Sequence, residues 1–198
     1  AVIDWVVEKS FASIPAMHPG VRRVIGCELR KWRRSWLTGD TRRGWRAFLA
    51  ELRAERYDVV IDTQGLLKSA VIARSAQGRR VGLDWQSSRE PLRPFYDEVH
   101  RIPWALHAVE RNRRLAAMAL GYVANAKLEY GIRADKSSAA WLPASTCFTV
   151  FLHATSHPRK CWPEERWIEL GSRLTASGCA AVLPWGSPAE QARASRLA

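Results

Sequence analysis

The stretch YDVVIDTQGLLKSA, Tyr57–Ala70, decides the fold class. Its apolar run ends in Asp62, Thr63, Gln64 and Gly65, and a helix-forming segment follows. A continuous apolar run suits a strand buried on both faces of a parallel sheet, and parallel strands are joined by crossover helices. The spacing predicts that helix over 66–76. The next strand is RRVGLD, Arg79–Asp84. Val2–Val7 and Arg23–Leu29 read as earlier strands, with a short helix and turn between them. Segment 42–56 sets Trp45, Phe48, Leu49 and Leu52 at helical spacing. Segment 105–120 reads as a helix stopped by Gly121.

Residues 123–146 lose this rhythm and read as a connector. It returns with a strand over Cys147–Ser156 and a helix opened by Pro163 that runs to about Ser177. A strand in CAAVLPWG, Cys179–Gly186, and a helix over 187–198 follow. Strands alternating with helices define a parallel α/β class with right-handed crossovers. The connector divides it into two Rossmann-like halves, expected at 1–122 and 147–198. Both ends of the chain fall against these elements, so a longer parent chain is expected.

Of the 198 residues 47% are hydrophobic, enough for a sizeable core. The 31 Lys and Arg against 19 Asp and Glu give a net charge of +12, which calls for a polyanionic partner. The four cysteines form no CxxC pair and no zinc spacing, so free thiols in a reducing compartment are expected. No apolar run reaches the length of a transmembrane helix.

In open α/β sheets ligands bind beyond the carboxyl ends of the strands. HATSHPRKCWPEERW, His153–Trp167, lies there. Thr155 and Ser156 offer hydroxyls and Lys160 an ammonium just before the helix, a set suited to phosphate. Pro163 fits the first helical position, and Glu164 and Glu165 suit the helix dipole. The same spacing also describes an ordinary capped helix start. Glu190, near the start of the last helix, suits ribose hydroxyls or simply that helix's dipole.

ELRKWRRSWLTGDTRRGWR, Glu28–Arg46, carries Arg30, Lys31, Arg33, Arg34, Arg42, Arg43 and Arg46, with Trp32, Trp36 and Trp45 interleaved. Two functions compete for it. Arginine forks with stacking tryptophans suit nucleic acid. Cations with interfacial tryptophans suit anionic lipid headgroups. A solvated face with its tryptophans turned inward is the plain alternative. Asp62, Gln64 and Lys68 face the presumed cleft, and His107, Glu110 and Arg111 share one helix. Glu110 and Arg114 have ion-pair spacing.

IDWVVEKSFASIPAMHP, ELRKWRRSW, YDVVIDTQGLLKSA, GLDWQSSREP, HAVERNRRL, FLHATSHPRKCWPEERW and LPWGSPAE occur in order along nearly the whole chain. Together they resemble the lipopolysaccharide heptosyltransferases of glycosyltransferase family 9, those of type I in particular. The resemblance implies a GT-B fold and inverting, metal-independent transfer, with no cofactor. ADP-heptose would be the donor and the Kdo of Kdo2-lipid A the acceptor. It implies donor contacts from Thr155, Ser156, Lys160 and Glu190, and acceptor contacts from Arg30, Lys31, Arg33 and Arg34. Gln64 joins the acceptor set. Ser156 stands where the family often has a second threonine. The implied place is the cytoplasmic face of the inner membrane, held peripherally by charge, with no nucleic-acid partner. The catalytic base is implied in a strand and loop before Ala1, so none is assigned and this 198-residue chain alone is expected to be inactive. A type II heptosyltransferase and a basic nucleic-acid-binding module are the alternatives.

Overall fold

The computed structural model describes residues 2–35, 37–124, 127–133, 147–155 and 157–198. The chain forms two compact units, Ala1–Asp135 and Lys136–Ala198.

In the first unit, β1 (Ile3–Glu8) pairs in parallel with β2 (Val21–Cys27). A second parallel sheet has the order β3 (Val59–Ile61), β4 (Arg79–Leu83), β5 (Glu98–His100). The helices are α1 (Ser13–Ala16), α2 (Leu29–Arg34), α3 (Gly39–Leu52), α4 (Leu67–Ser75) and α5 (Ala108–Leu120). The second unit pairs β6 (Phe148–Val150) in parallel with β7 (Ala180–Val182) and adds α6 (Glu164–Ala176) and α7 (Pro188–Leu197). The strand–helix alternation stands, and every described strand pair is parallel.

β3 shows why its sequence reads as doubly covered. Val60 packs with the cluster of Ile25, Trp32, Phe48 and Ile72, while Val59 and Ile61 pack against Val81, Ile102 and Leu115. Alternate side chains of one strand therefore serve two apolar layers. Helix ends follow local chemistry. Thr38 caps α3 by accepting from the Thr41 N–H at 3.3 Å. A ring nitrogen of His107 caps α5 by accepting from Val109, which makes His107 a structural histidine. Gly121 ends α5 at φ 70°, the left-handed conformation that costs glycine least.

Several expectations change. β5 was not anticipated, because Glu-Val-His is too short and polar to announce a strand. β6 is three residues long rather than ten, and Phe148 and Val150 are 46% and 47% exposed. Pro163 is the residue before α6 rather than its first helical residue, with ψ 144°. The thiols are not all free. Cys147 and Cys179 are joined as a disulfide, with Cα atoms 4.9 Å apart, while Cys27 and Cys161 are free. Parallel pairing of Phe148 with Ala180 sets the two preceding residues side by side, a proximity that a separation of 32 positions conceals.

A carboxylate pins the first sheet. The register shifts between Ile3 and Asp4, whose partners are Val21 and Arg23, so Arg22 is passed over. Both arginines reach Asp4: Arg22 donates from Nε and Nη2 at 2.9 and 2.8 Å, and Arg23 from Nη2 at 2.7 Å. Tyr57 adds its hydroxyl at 3.3 Å, and Glu55 pairs with Arg22. The Asp4 side chain is 3% exposed. The Arg22 hydrogen bonds, opposed by burial and joined by Arg23, lower its pKa from 3.8 to about 2.

A depressed carboxylate stabilises the fold above its unfolded pKa and loses that contribution as pH falls through the folded value. A shift of this size is worth about 2 kcal/mol. Urea unfolding should therefore show stability declining between about pH 4 and pH 2. Asp4→Asn should be less stable at pH 7 and should flatten that part of the pH dependence.

Candidate functional site

In the second unit, the loops after β6 and β7 leave the same edge, and four contacts tie them and α7 together. His153, 2% exposed, donates from Nε2 to the Pro184 carbonyl at 3.1 Å. Its Nδ1 is buried without a hydrogen-bond partner. Arg193 of α7 donates to the Trp162 carbonyl at 2.8 Å and pairs with Glu164 at 3.2 Å. Arg196 pairs with the same carboxylate at 2.8 Å. Arg196 hydrogen bonding, opposed by burial, lowers the Glu164 pKa. Glu164 thus ties the start of α6 to α7 as well as facing its own helix dipole. Trp167 packs at a tilt against Phe151, with ring centroids 4.9 Å apart, and meets Trp162 edge-on.

On this frame sit the donor candidates. Thr155 is exposed, directly after buried His153 and half-buried Ala154. Ser156 lies outside the described residues. Lys160 ends a short 3-10 turn, Pro158–Lys160, and is exposed, with its N–H bonded to the His157 carbonyl at 2.9 Å. Glu190 sits in the first turn of α7. Its Oε2 accepts from the Gly186 N–H at 2.8 Å, while Ser187 accepts from the Glu190 N–H at 3.3 Å. Ser187 thus caps α7, and Glu190 reaches back one residue beyond that cap. The Gly186 bond fixes the carboxylate beside the PWG loop, and its other oxygen, Oε1, has no described partner.

The acceptor candidates lie in the first unit. α2 carries Arg30, Lys31, Arg33 and Arg34, all exposed. The Arg30 N–H reaches Glu8 at 3.5 Å, and Lys31 pairs with Glu28 at 3.6 Å. The two described tryptophans of the segment, Trp32 and Trp45, pack on the core. Trp32 is 8% exposed, packs edge-on to Trp45 with centroids 5.4 Å apart, and meets Phe48 at 5.7 Å. Stacking on nucleic-acid bases is therefore closed to Trp32. Trp36 lies outside the described residues.

A cleft of about 530 Å³ opens between α2, α3 and α4. Leu29, Trp45, Leu66 and Leu67 line it, and Arg33, Lys68 and Glu90 are also on its wall. Glu90 accepts from the Leu67 N–H at the start of α4. The structure so brings together Arg33 and Lys68, 35 positions apart, and promotes Lys68 from a minor candidate. Gln64 lies on the neighbouring turn, with an exposed side chain and its N–H bonded to Asp62 Oδ1 at 2.9 Å.

Asp62 and Asp4 are unsuited to proton transfer, being buried and fully engaged. Glu110 pairs with Arg114 at 2.7 Å, the plain ion pair of the spacing. Arg111 stacks on Trp104 at 3.9 Å and donates to the Ser87 carbonyl. His153, Arg193 and Tyr96, whose hydroxyl donates to Asp62 Oδ2 at 2.7 Å, were missed by sequence reasoning, since each works through a contact distant along the chain. Among the described residues, no three His, Cys, Asp or Glu form a metal-binding group, and no helix is long and apolar enough to cross a membrane.

Parallel α/β units with loops gathered beyond the strand ends define a Rossmann-like class, the class to which the GT-B glycosyltransferases also belong. The comparisons agree. The family described as glycosyltransferase family 9 (heptosyltransferase) matches residues 45–198, and the chain belongs to it. It is 46% identical over 98% of its length to lipopolysaccharide heptosyltransferase 1 of Escherichia coli K12, and spans 62% of that protein. It is also 46% identical to the Pseudomonas aeruginosa protein of the same name, with 98% of this chain and 55% of that protein covered. The solved E. coli heptosyltransferase WaaC with ADP superposes with a TM-score of 0.87 at 44% identity, covering 99% of this chain and 62% of that one. The chain thus spans about three fifths of the relatives it matches.

The His153 bond predicts a local cost. His153→Ala should lower urea stability by about 1–3 kcal/mol, because the Pro184 carbonyl loses its partner and a cavity forms. Unchanged unfolding would show that the two loops hold without it.

Proposed function

We propose that the chain is part of a heptosyltransferase that moves heptose from ADP-heptose to the Kdo of Kdo2-lipid A. In this reading 1–122 serves the acceptor, 123–146 connects and 147–198 begins the donor domain. The observation that carries it is the likeness to the solved E. coli heptosyltransferase with ADP-2-deoxy-2-fluoro heptose, at a TM-score of 0.84 and 43% identity. Type I specificity draws support from relatives of that name at 43–46% identity. Heptosyltransferase II of E. coli, at 20% identity, is alike in fold.

Thr155, Ser156 and Lys160 would grip the diphosphate and Glu190 the ribose. An acceptor hydroxyl attacks the anomeric carbon, its proton passes to a carboxylate, and ADP leaves with the bonding electrons. Lys160 would stabilise the charge that builds on the departing diphosphate. Arg30, Lys31, Arg33, Arg34 and Gln64 would meet the anionic acceptor. Inversion, metal independence and the lack of a cofactor belong to the reading through the family resemblance.

Lys160→Ala in the complete protein should lower kcat/KM for ADP-heptose by about 1.5–3 kcal/mol, the range for a charged hydrogen bond. Unchanged kinetics would remove Lys160 from the site. The exposed cations of α2 would also hold the protein at an anionic membrane surface. Sedimentation with anionic vesicles should fall as salt rises, whereas salt-independent partition into the soluble fraction would refute attachment by charge.

A further inference from the structure

A buried carboxylate on the turn that leads into α4 belongs to neither the cleft lining nor the basic segment. Asp62, 5% exposed, follows β3, and its backbone N–H continues the pairing with Val81 at 2.9 Å. Its Oδ1 accepts from the Gln64 and Gly65 N–H groups at 2.9 and 3.4 Å. Its Oδ2 accepts from the Tyr96 hydroxyl at 2.7 Å. Three donors thus fix one buried carboxylate.

Tyr96 is 4% exposed, and its ring lies over Gly82, where an added Cβ would come within 2.6 Å of three ring carbons. Gly82 leaves the space that the ring occupies. Burial and the Asp62 carboxylate both raise the Tyr96 pKa, which keeps its hydroxyl a donor. On the other side of the turn, Gly65 has φ 61°, and an added Cβ would lie 3.2 Å from Ser88 Cβ. Ser88 donates to the Glu90 carbonyl at 2.7 Å, and Glu90 holds the start of α4.

We propose that Tyr96 is a positioning residue for the acceptor: through Asp62 it holds the turn that presents Gln64 and leads into Lys68 at the cleft. This rests on the acceptor reading above. It predicts selectivity, because the turn belongs to the first unit whereas the donor candidates belong to the second. Loss of the hydroxyl frees one carboxylate oxygen and lets the turn shift, while the ring keeps its packing.

The test is steady-state kinetics of the complete protein with ADP-heptose and Kdo2-lipid A, comparing Tyr96→Phe with Gln64→Ala. Tyr96→Phe should raise the acceptor KM by roughly three- to tenfold, as expected for one lost hydrogen bond, with kcat and the donor KM kept. Equal loss in both substrates, or a fall in kcat alone, overturns the proposal in favour of a general structural role. If Gln64→Ala raises the acceptor KM and Tyr96→Phe does not, the proposal fails and the acceptor reading stands. If Gln64→Ala leaves the acceptor KM unchanged, Gln64 leaves the acceptor site and the proposal falls with it.

Discussion

Parallel pairing is the constraint on which the rest of this protein depends. Strands that run the same way end at the same edge, so the loops that follow them gather there regardless of separation in sequence. The Asp62 turn and the loop that runs from Asp84 to Leu92 leave β3 and β4 in this way. In the second unit β6 and β7 do the same for the Thr155 and Trp185 loops. The helices that follow these strands begin near that edge, and their first turns bring Lys68, Glu164 and Glu190 to it.

Asp4 and Asp62, both in the first unit, have buried side chains and solve the same problem differently. A buried carboxylate is costly unless its oxygens are engaged. Asp4 is engaged by the charges of Arg22 and Arg23, which favour the anion strongly. That suits a purely structural clamp between β1, β2 and the chain before β3. Asp62 is engaged by two backbone N–H groups and a tyrosine hydroxyl. Neutral donors fix a loop's shape through directed hydrogen bonds, which suits a turn that leads into the cleft. Neither carboxylate retains an unengaged oxygen for proton chemistry.

The helices were well marked in the sequence because apolar spacing, caps and stops act within a few residues. Trp45, Phe48 and Leu52 announced α3, and Gly121 ended α5. The strands were marked less well. β5 carries one apolar residue in three, and β6 is largely exposed, so neither is set apart by burial. The basic run was legible as charge, but the fate of its tryptophans was not. Trp32 faces Trp45 and Phe48 because α2 folds against α3, and this depends on a turn whose geometry no local propensity dictates.

The sequence by itself determined the α/β class, the alternation of elements and the charge of α2, since each is set by neighbouring residues or composition. Its ordered motifs also carried the likeness to the heptosyltransferases. Tertiary structure decided which side chains meet: Tyr96 with Asp62, His153 with Pro184, Arg193 with Trp162 and Cys147 with Cys179. Between 31 and 34 positions separate the members of each pair. Contacts at that range are fixed by sheet register and helix packing, which are properties of the folded whole.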